Sequence, residues 1–187
     1  MARAAAAALI PLAAVGGAAA GGQSLIAGQS EVVYVGTQLG VPVDGSFSRF
    51  QAQVNLDPAR LQSSSVSFTV DTSSVVFPAE DIGRELAKPD WLDSARFPSA
   101  NFESSRIRDL GGQRYEITGT LTIKGHAHEV TFPVTLSQSG PTTFATGQLS
   151  IKRLEYGIGQ GEWGDTSLVE DAVQIKFKIA LTGLTPS

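Results

Sequence analysis

Residues 115–136, YEITGTLTIKGHAHEVTFPVTL, hold two alternating runs separated by a short polar turn. In the first, Tyr115, Ile117, Gly119, Leu121 and Ile123 share one face while Glu116, Thr118, Thr120, Thr122 and Lys124 share the other, the period of a half-buried strand. The second run repeats the pattern, with Val130, Phe132, Val134 and Leu136 on one side and Thr131, Thr135 and Ser137 on the other. Pro133 falls on the outer side, where its missing N–H suits a sheet edge or a bulge. Gly125 supplies backbone freedom for the turn, so the stretch reads as a β-hairpin. A lone hairpin is at best marginal in water, and its apolar face requires further strands to cover it.

The flanking sequence supplies them. Val32, Tyr34 and Gly36 alternate with Val33, Val35 and Thr37, a loop is expected over 39–45, and Phe50, Ala52, Val54 and Leu56 alternate within a strand expected over 46–57. Residues 65–71 place Val66, Phe68 and Val70 inside. The period breaks over 79–97, where Ile82, Leu86 and Trp91-Leu92 have helical spacing and predict a short helix ending near Lys88-Pro89, set over one end of the fold. Extended structure resumes over 98–107 with Ala100 and Phe102 inward. Past the hairpin, Ala145, Gly147, Leu149 and Ile151 are in register, residues 156–166 form a glycine-rich loop, and Val173, Ile175, Phe177, Ile179 and Leu181 face in from a closing strand. About eight amphipathic strands with no βαβ rhythm give an all-β, antiparallel barrel or sandwich with a short helical insertion.

A chain of 187 residues suits a single domain with a sizeable core. Residues 1–20, with Arg3, an alanine-rich apolar stretch and small residues at 18–20, follow the plan of a signal peptide, so export is expected. Residues 21–29 read as a flexible lead-in and 30–187 as the domain. Net charge is −4 with basic residues scattered, which argues against a nucleic-acid surface. The absence of cysteine removes disulfides, thiolate metal sites, cysteine nucleophiles and a lipid anchor on an N-terminal Cys.

Three spaced motifs carry a resemblance: Trp91-Leu-Asp-Ser-Ala-Arg-Phe-Pro-Ser-Ala-Asn-Phe-Glu-Ser104, Tyr115-x-Ile-Thr-Gly-Thr-Leu-Thr-Ile-Lys-Gly125, and Arg153-Leu-Glu-Tyr-Gly-Ile158. In this order they resemble the YceI family of bacterial periplasmic proteins, as do Gly45-Ser-Phe-Ser-Arg-Phe50 and the strand from Val173 to Phe177. The resemblance implies an elongated, lipocalin-like antiparallel barrel whose apolar lumen holds a polyisoprenoid or quinone tail. It implies a binding protein without catalytic residues, soluble in the periplasm, in a transport, storage or stress-response role. The family commonly carries an Arg-Asp pair with a nearby His before the Trp motif, where this chain has Glu80-Asp81 and Gly83-Arg-Glu-Leu86. Gln160-Gly-Glu-Trp-Gly-Asp-Thr166 resembles the branch found beside a membrane cytochrome b, which implies a redox or quinone setting and a cytochrome b partner.

An inward apolar stripe serves equally as a packed core or as the wall of a lumen. The resemblance favours a lumen, with Val32, Tyr34, Phe50, Val66, Phe68, Val70, Phe102, Leu121, Ile123, Phe132, Val134, Phe177 and Ile179 as its expected ligand-binding lining. Arg153 and Tyr156, at the end of an inward-facing strand, and Asp71 are the expected headgroup residues, the alternative being an Arg paired to a carboxylate such as Asp71 without touching ligand. His126 and His128 form a His-x-His turn, but no third metal ligand is identifiable, so no metal or other cofactor is assigned beyond the bound lipid. Glu80-Asp81 and Glu170-Asp171 have no activated nucleophile beside them, so no catalytic residue is assigned. The expectation is a monomer or homodimer that sequesters or carries an isoprenoid lipid. Its rivals are a ligand-free module docking on a membrane cytochrome through the Trp163 loop, and a lipid-modifying enzyme working through Arg153 or Glu155.

Overall fold

The structure, a computed structural model, describes residues 22–184; the segment 1–20, read as an export signal, lies outside them. The central hairpin pairs β8 (Arg114–Ile123) with β9 (His126–Ser139), running from Arg114↔Thr135 to Ile123↔His126. Its turn is the dipeptide Lys124-Gly125, both residues left-handed with φ of 51° and 78°, the geometry that matches the twist of a two-residue hairpin. Preceding it are β1 (Ser24–Leu25), β2 (Glu31–Gln38), β3 (Val41–Phe47), β4 (Phe50–Asn55), β5 (Ser65–Asp71), β6 (Val75–Val76), the helix α1 (Glu80–Leu86) and β7 (Ser99–Gly111). Following it are β10 (Thr142–Lys152) and β11 (Ala172–Thr182).

All pairings are antiparallel, in the order β4-β5-β7-β8-β9-β10-β11-β2-β3-β6, with β1 on β11. The sheet curls into a lipocalin-like barrel, and its loose edge is closed by the short β1 segment. Leu25 pairs with Leu181 on β11, while Gln23 donates its backbone N–H to the Val54 carbonyl of β4 at 3.0 Å. The side chain of Gln23 continues the strap, its Oε1 accepting from the Leu56 N–H at 2.8 Å.

Eleven strands among the described residues replace the eight or so expected, and each addition has a reason. The stretch read as an unstructured lead-in contains β1, whose two residues are too few to show a period. The expected loop over 39–45 contributes most of β3, which pairs with β2 from Val33↔Ser46 to Gln38↔Val41 despite its Pro, Asp and Gly. The single strand expected over 46–57 is two, broken at Ser48-Arg49 where the chain turns from β3 into β4. The helix over the end of the barrel is present but shorter than its spacing implied. Pro133 sits where β9 leaves β10: their pairing runs from Ser139 to Val134 and stops there. Beyond that point a 3-10 turn, Arg153–Tyr156, packs against β9, with Tyr156 edge-on to the His128 ring at 4.8 Å and His128 Nε2 3.1 Å from the Glu155 carbonyl.

Burial is graded along the barrel axis. Near the β1 strap, Val54, Leu56, Leu136, Ile179, Leu181 and Leu184 are fully buried and close that end. Farther along, Phe68, Leu121, Leu149, Ile175 and Phe177 point inward yet are only half-buried. Side chains on the inner face of a closed sheet keep exposed surface only if the interior is not filled.

Candidate functional site: a carbon-walled lumen

That unfilled interior is a cavity of about 390 Å³. Twelve of the thirteen residues expected on its wall are there: Val32, Tyr34, Val66, Phe68, Val70, Phe102, Leu121, Ile123, Phe132, Val134, Phe177 and Ile179. Phe50 is the exception; its ring stacks on Phe68 at 5.6 Å and stands outside the lining. The period-2 pattern also marks Leu149, Ile151, Val173, Ile175 and Leu181 as inward, and these line it too. Two glycines admit the large rings: a Cβ on Gly119 would collide with the Phe102 ring and the Glu103 carbonyl, and one on Gly147 with the Phe177 ring. Phe132 then joins both, 5.2 Å from Phe102 and 5.7 Å from Phe177 between ring centroids.

Polar groups gather at the end capped by α1, where Gln38, Glu85, Trp91, Arg153 and Trp163 join the lining and Ile82 is exposed. Arg153 is almost wholly buried, 1% exposed, and the carboxylate partner expected at Asp71 is not there. Asp71 lies at the surface, paired with Arg49 at 2.9 Å, and the hydroxyl of Ser73 together with Arg49 holds its carboxyl below the usual carboxylate range. Arg153 instead donates to five carbonyls: Nε to Glu170 at 3.0 Å, Nη1 to Ile158 and Gly159 at 2.9 Å each, and Nη2 to Trp163 and Val169 at 2.7 Å each. All five N–H bonds of the guanidinium are therefore used to fold the glycine-rich loop across the barrel end. Of the three expected headgroup residues only Arg153 lines the cavity: Asp71 stands outside the lining, and Tyr156 is buried against Ile123 and Ile151, also outside it.

Lys124, expected on the outer face of its strand, is buried instead. The turn is left-handed there, and the side chain lies beneath the loops at the barrel end, where it is 8% exposed and Nζ donates to the Pro89 carbonyl at 2.6 Å and the Gly157 carbonyl at 2.7 Å. Burial pulls its ammonium pKa below the ordinary lysine value. Lys at the first position of a two-residue turn was the available signal, because a residue there leaves the strand's alternation. Trp91 is buried with its centroid 5.5 Å from Trp163 and 5.9 Å from the Arg153 guanidinium carbon. Its indole nitrogen has no hydrogen-bond partner among the described residues, and neither has the Tyr34 hydroxyl. His128 is engaged with Tyr156 and Glu155 while His126 is exposed, and no group of three potential metal ligands occurs among the described residues. No helix is long and apolar enough to cross a membrane among the described residues.

The crystal structure of Burkholderia cenocepacia BcnA is similar to this chain with a TM-score of 0.81 and 43% identity, over 84% of this chain and 99% of that one. A polyisoprenoid binding domain from Saccharophagus degradans, implicated in plant cell wall breakdown, shares the fold with a TM-score of 0.68 at 16% identity, over 86% of this chain and 97% of that one. Among relatives by sequence, a UPF0312 protein of Vibrio cholerae serotype O1 is 24% identical over 141 residues, 71% of this chain and 75% of its own length. The family model for the YceI-like domain matches residues 24–181, from the β1 strap to the end of the closing strand, and the chain belongs to that family.

Proposed function

We propose that the chain binds the hydrocarbon of an isoprenoid lipid, a polyprenyl chain or quinone tail, in its lumen and carries or sequesters it away from water in the periplasm. The observation that carries this reading is the cavity of about 390 Å³ with an almost entirely carbon wall. Ligand pockets span roughly 300–1,000 Å³ and are mostly apolar, and this one lies within that range. Burying each methylene-sized group contributes about 0.8 kcal/mol before ordering costs, so a long tail binds without any polar contact. The Saccharophagus degradans domain of the same fold, a polyisoprenoid binding domain, supports the choice of isoprenoid over other apolar chains. The Trp163 loop, the expected docking point for a membrane cytochrome b, turns its indole onto Trp91, which favours carriage over docking.

The test is transfer from vesicles. The folded protein is incubated with phospholipid vesicles containing a long-chain quinone, separated by gel filtration, and assayed for quinone by absorbance. Quinone co-eluting in stoichiometric amount supports carriage; none above that carried by an unrelated β-barrel of the same size counts against it.

A further inference from the structure

We propose that the tip of the β2–β3 hairpin, with Leu168 beside it, inserts into the surface of a phospholipid bilayer and holds that end of the barrel against it. This rests on the isoprenoid reading above and names the surface from which the lumen is loaded.

The tip is the dipeptide Leu39-Gly40, both residues left-handed with φ of 50° and 77°, between the paired residues Gln38 and Val41. A two-residue turn of this kind favours Asn, Asp or Gly at its first position, and a leucine there is held in a conformation that bulky side chains avoid. That leucine is nonetheless 68% exposed, with Val41 60% and Leu168 40% exposed. The Leu39 N–H donates to the Leu168 carbonyl at 2.9 Å, which sets the second leucine beside the hairpin. Neither backbone preference nor core packing accounts for Leu39, whose apolar side chain is free to enter another phase.

The patch continues the wall of the lumen. Val41 has the strand phase of Val43, and Val43, Gln38 and Val169 line the cavity, as does Ile82 of α1, which is itself exposed at this end. The hairpin is also uncharged from Val32 to Val43, so its tip enters a hydrocarbon boundary without burying a charge. Size argues against a protein partner: three side chains exposed to this extent present roughly 200 Å² of apolar surface, against about 800 Å² per partner in a stable complex. Lipid chains are fluid and require no complementary surface. The charges next along the chain, Asp44 after the hairpin and Asp165 and Glu170 around Leu168, are all acidic, so the attraction is apolar and anionic lipid opposes it.

The experiment is co-sedimentation with sucrose-loaded vesicles of phosphatidylcholine and phosphatidylethanolamine that contain no isoprenoid, for the intact protein and for Leu39→Asn. Asparagine suits the turn, so the variant should melt at or above the parent temperature while its vesicle partition falls by about tenfold. Added phosphatidylglycerol should weaken the partition of the parent. Leu168→Ser gives an independent reading should Leu39→Asn misfold. No sedimentation of the parent with vesicles overturns the proposal, as does unchanged partition of a folded Leu39→Asn protein. A parent dimer that Leu39→Asn converts to monomer gives the patch to a second copy and overturns it as well. Quinone uptake separates this from the reading it rests on: Leu39→Asn should slow uptake from vesicles about tenfold and leave uptake from a dilute ethanolic dispersion unchanged. A parent that takes quinone from neither source defeats the isoprenoid reading, and sedimentation with isoprenoid-free vesicles then still decides the docking.

Discussion

Arg153 Nη1 donates to the carbonyl oxygen of Gly159 at 2.9 Å and fills the space that a Cβ at position 159 would need. Gly159 is also left-handed, with φ of 75°, so two independent constraints exclude a side chain beside this guanidinium. The polar end of the lumen is thus built around an arginine that binds its own backbone.

Replacing Arg153 with Met should therefore cost about 3–5 kcal/mol, because it strips buried carbonyls of their donor. In a domain of this size that lowers the melting temperature by about 10 °C. Arg153→Lys should rescue only part of the loss, since an ammonium has three donors and no planar fork. Thermal unfolding followed by circular dichroism checks both. A Met variant melting within about 2 °C of the parent contradicts the latch.

Gly119 and Gly147 give a second prediction. Alanine at either position must displace the Phe102 or Phe177 ring, an overpacking of about 1–3 kcal/mol. Gly36 is the control, its nearest neighbour to a built Cβ being Val43 Cγ2 at 3.9 Å. Equal denaturation midpoints for the three alanine variants would remove the ring-over-glycine account.

Phe68 and Ala145 test the wall, which both line. Phe68→Arg places a charge in a carbon-walled space and should abolish lipid uptake. Ala145→Phe fills the lumen and should lower uptake while leaving the fold intact. Lipid retained by a folded Phe68→Arg protein would move the binding site elsewhere.

Tyr34 sets an alkaline limit. Its hydroxyl is unpartnered, and burial, reinforced by Asp44, pushes its pKa well above the ordinary tyrosine value. An unfolded tyrosine ionises near pH 10, so above that pH the folded chain holds a proton the unfolded chain has lost, and stability falls as pH rises. Tyr34→Phe should keep or raise stability at pH 7 by up to about 1–2 kcal/mol, since no hydrogen bond is lost. It should also flatten the decline between roughly pH 10 and 11. Urea unfolding at both pH values checks this; a loss of stability at pH 7 would mean that the hydroxyl has a partner.

Alternation makes most of the barrel legible in the sequence, because a sheet buried on one face must repeat every second residue. It locates the wall from Val32 to Ile179, and its break over 79–97 marks the helix over one end. It was blind to segments too short to show a period, such as the β1 strap and β6. Phe50 has the inward phase yet stacks on its neighbour Phe68, a choice made by packing between adjacent strands. The polar end was read least well. Lys124 is buried under the end loops because a hairpin turn interrupts the strand, and Arg153 finds its partners on carbonyls as far along as Glu170. Backbone oxygens have no signature in side-chain identity, so a carboxylate was the natural partner to expect, and Asp71 is committed to Arg49 instead.

The most direct test of a lipid-carrying lumen is native mass spectrometry of the protein purified from its host without detergent, followed by organic extraction and identification of what is released. A stoichiometric adduct with the mass of an isoprenoid lipid is the expected result. A bare protein mass that persists after incubation with long-chain quinones and prenols would contradict it.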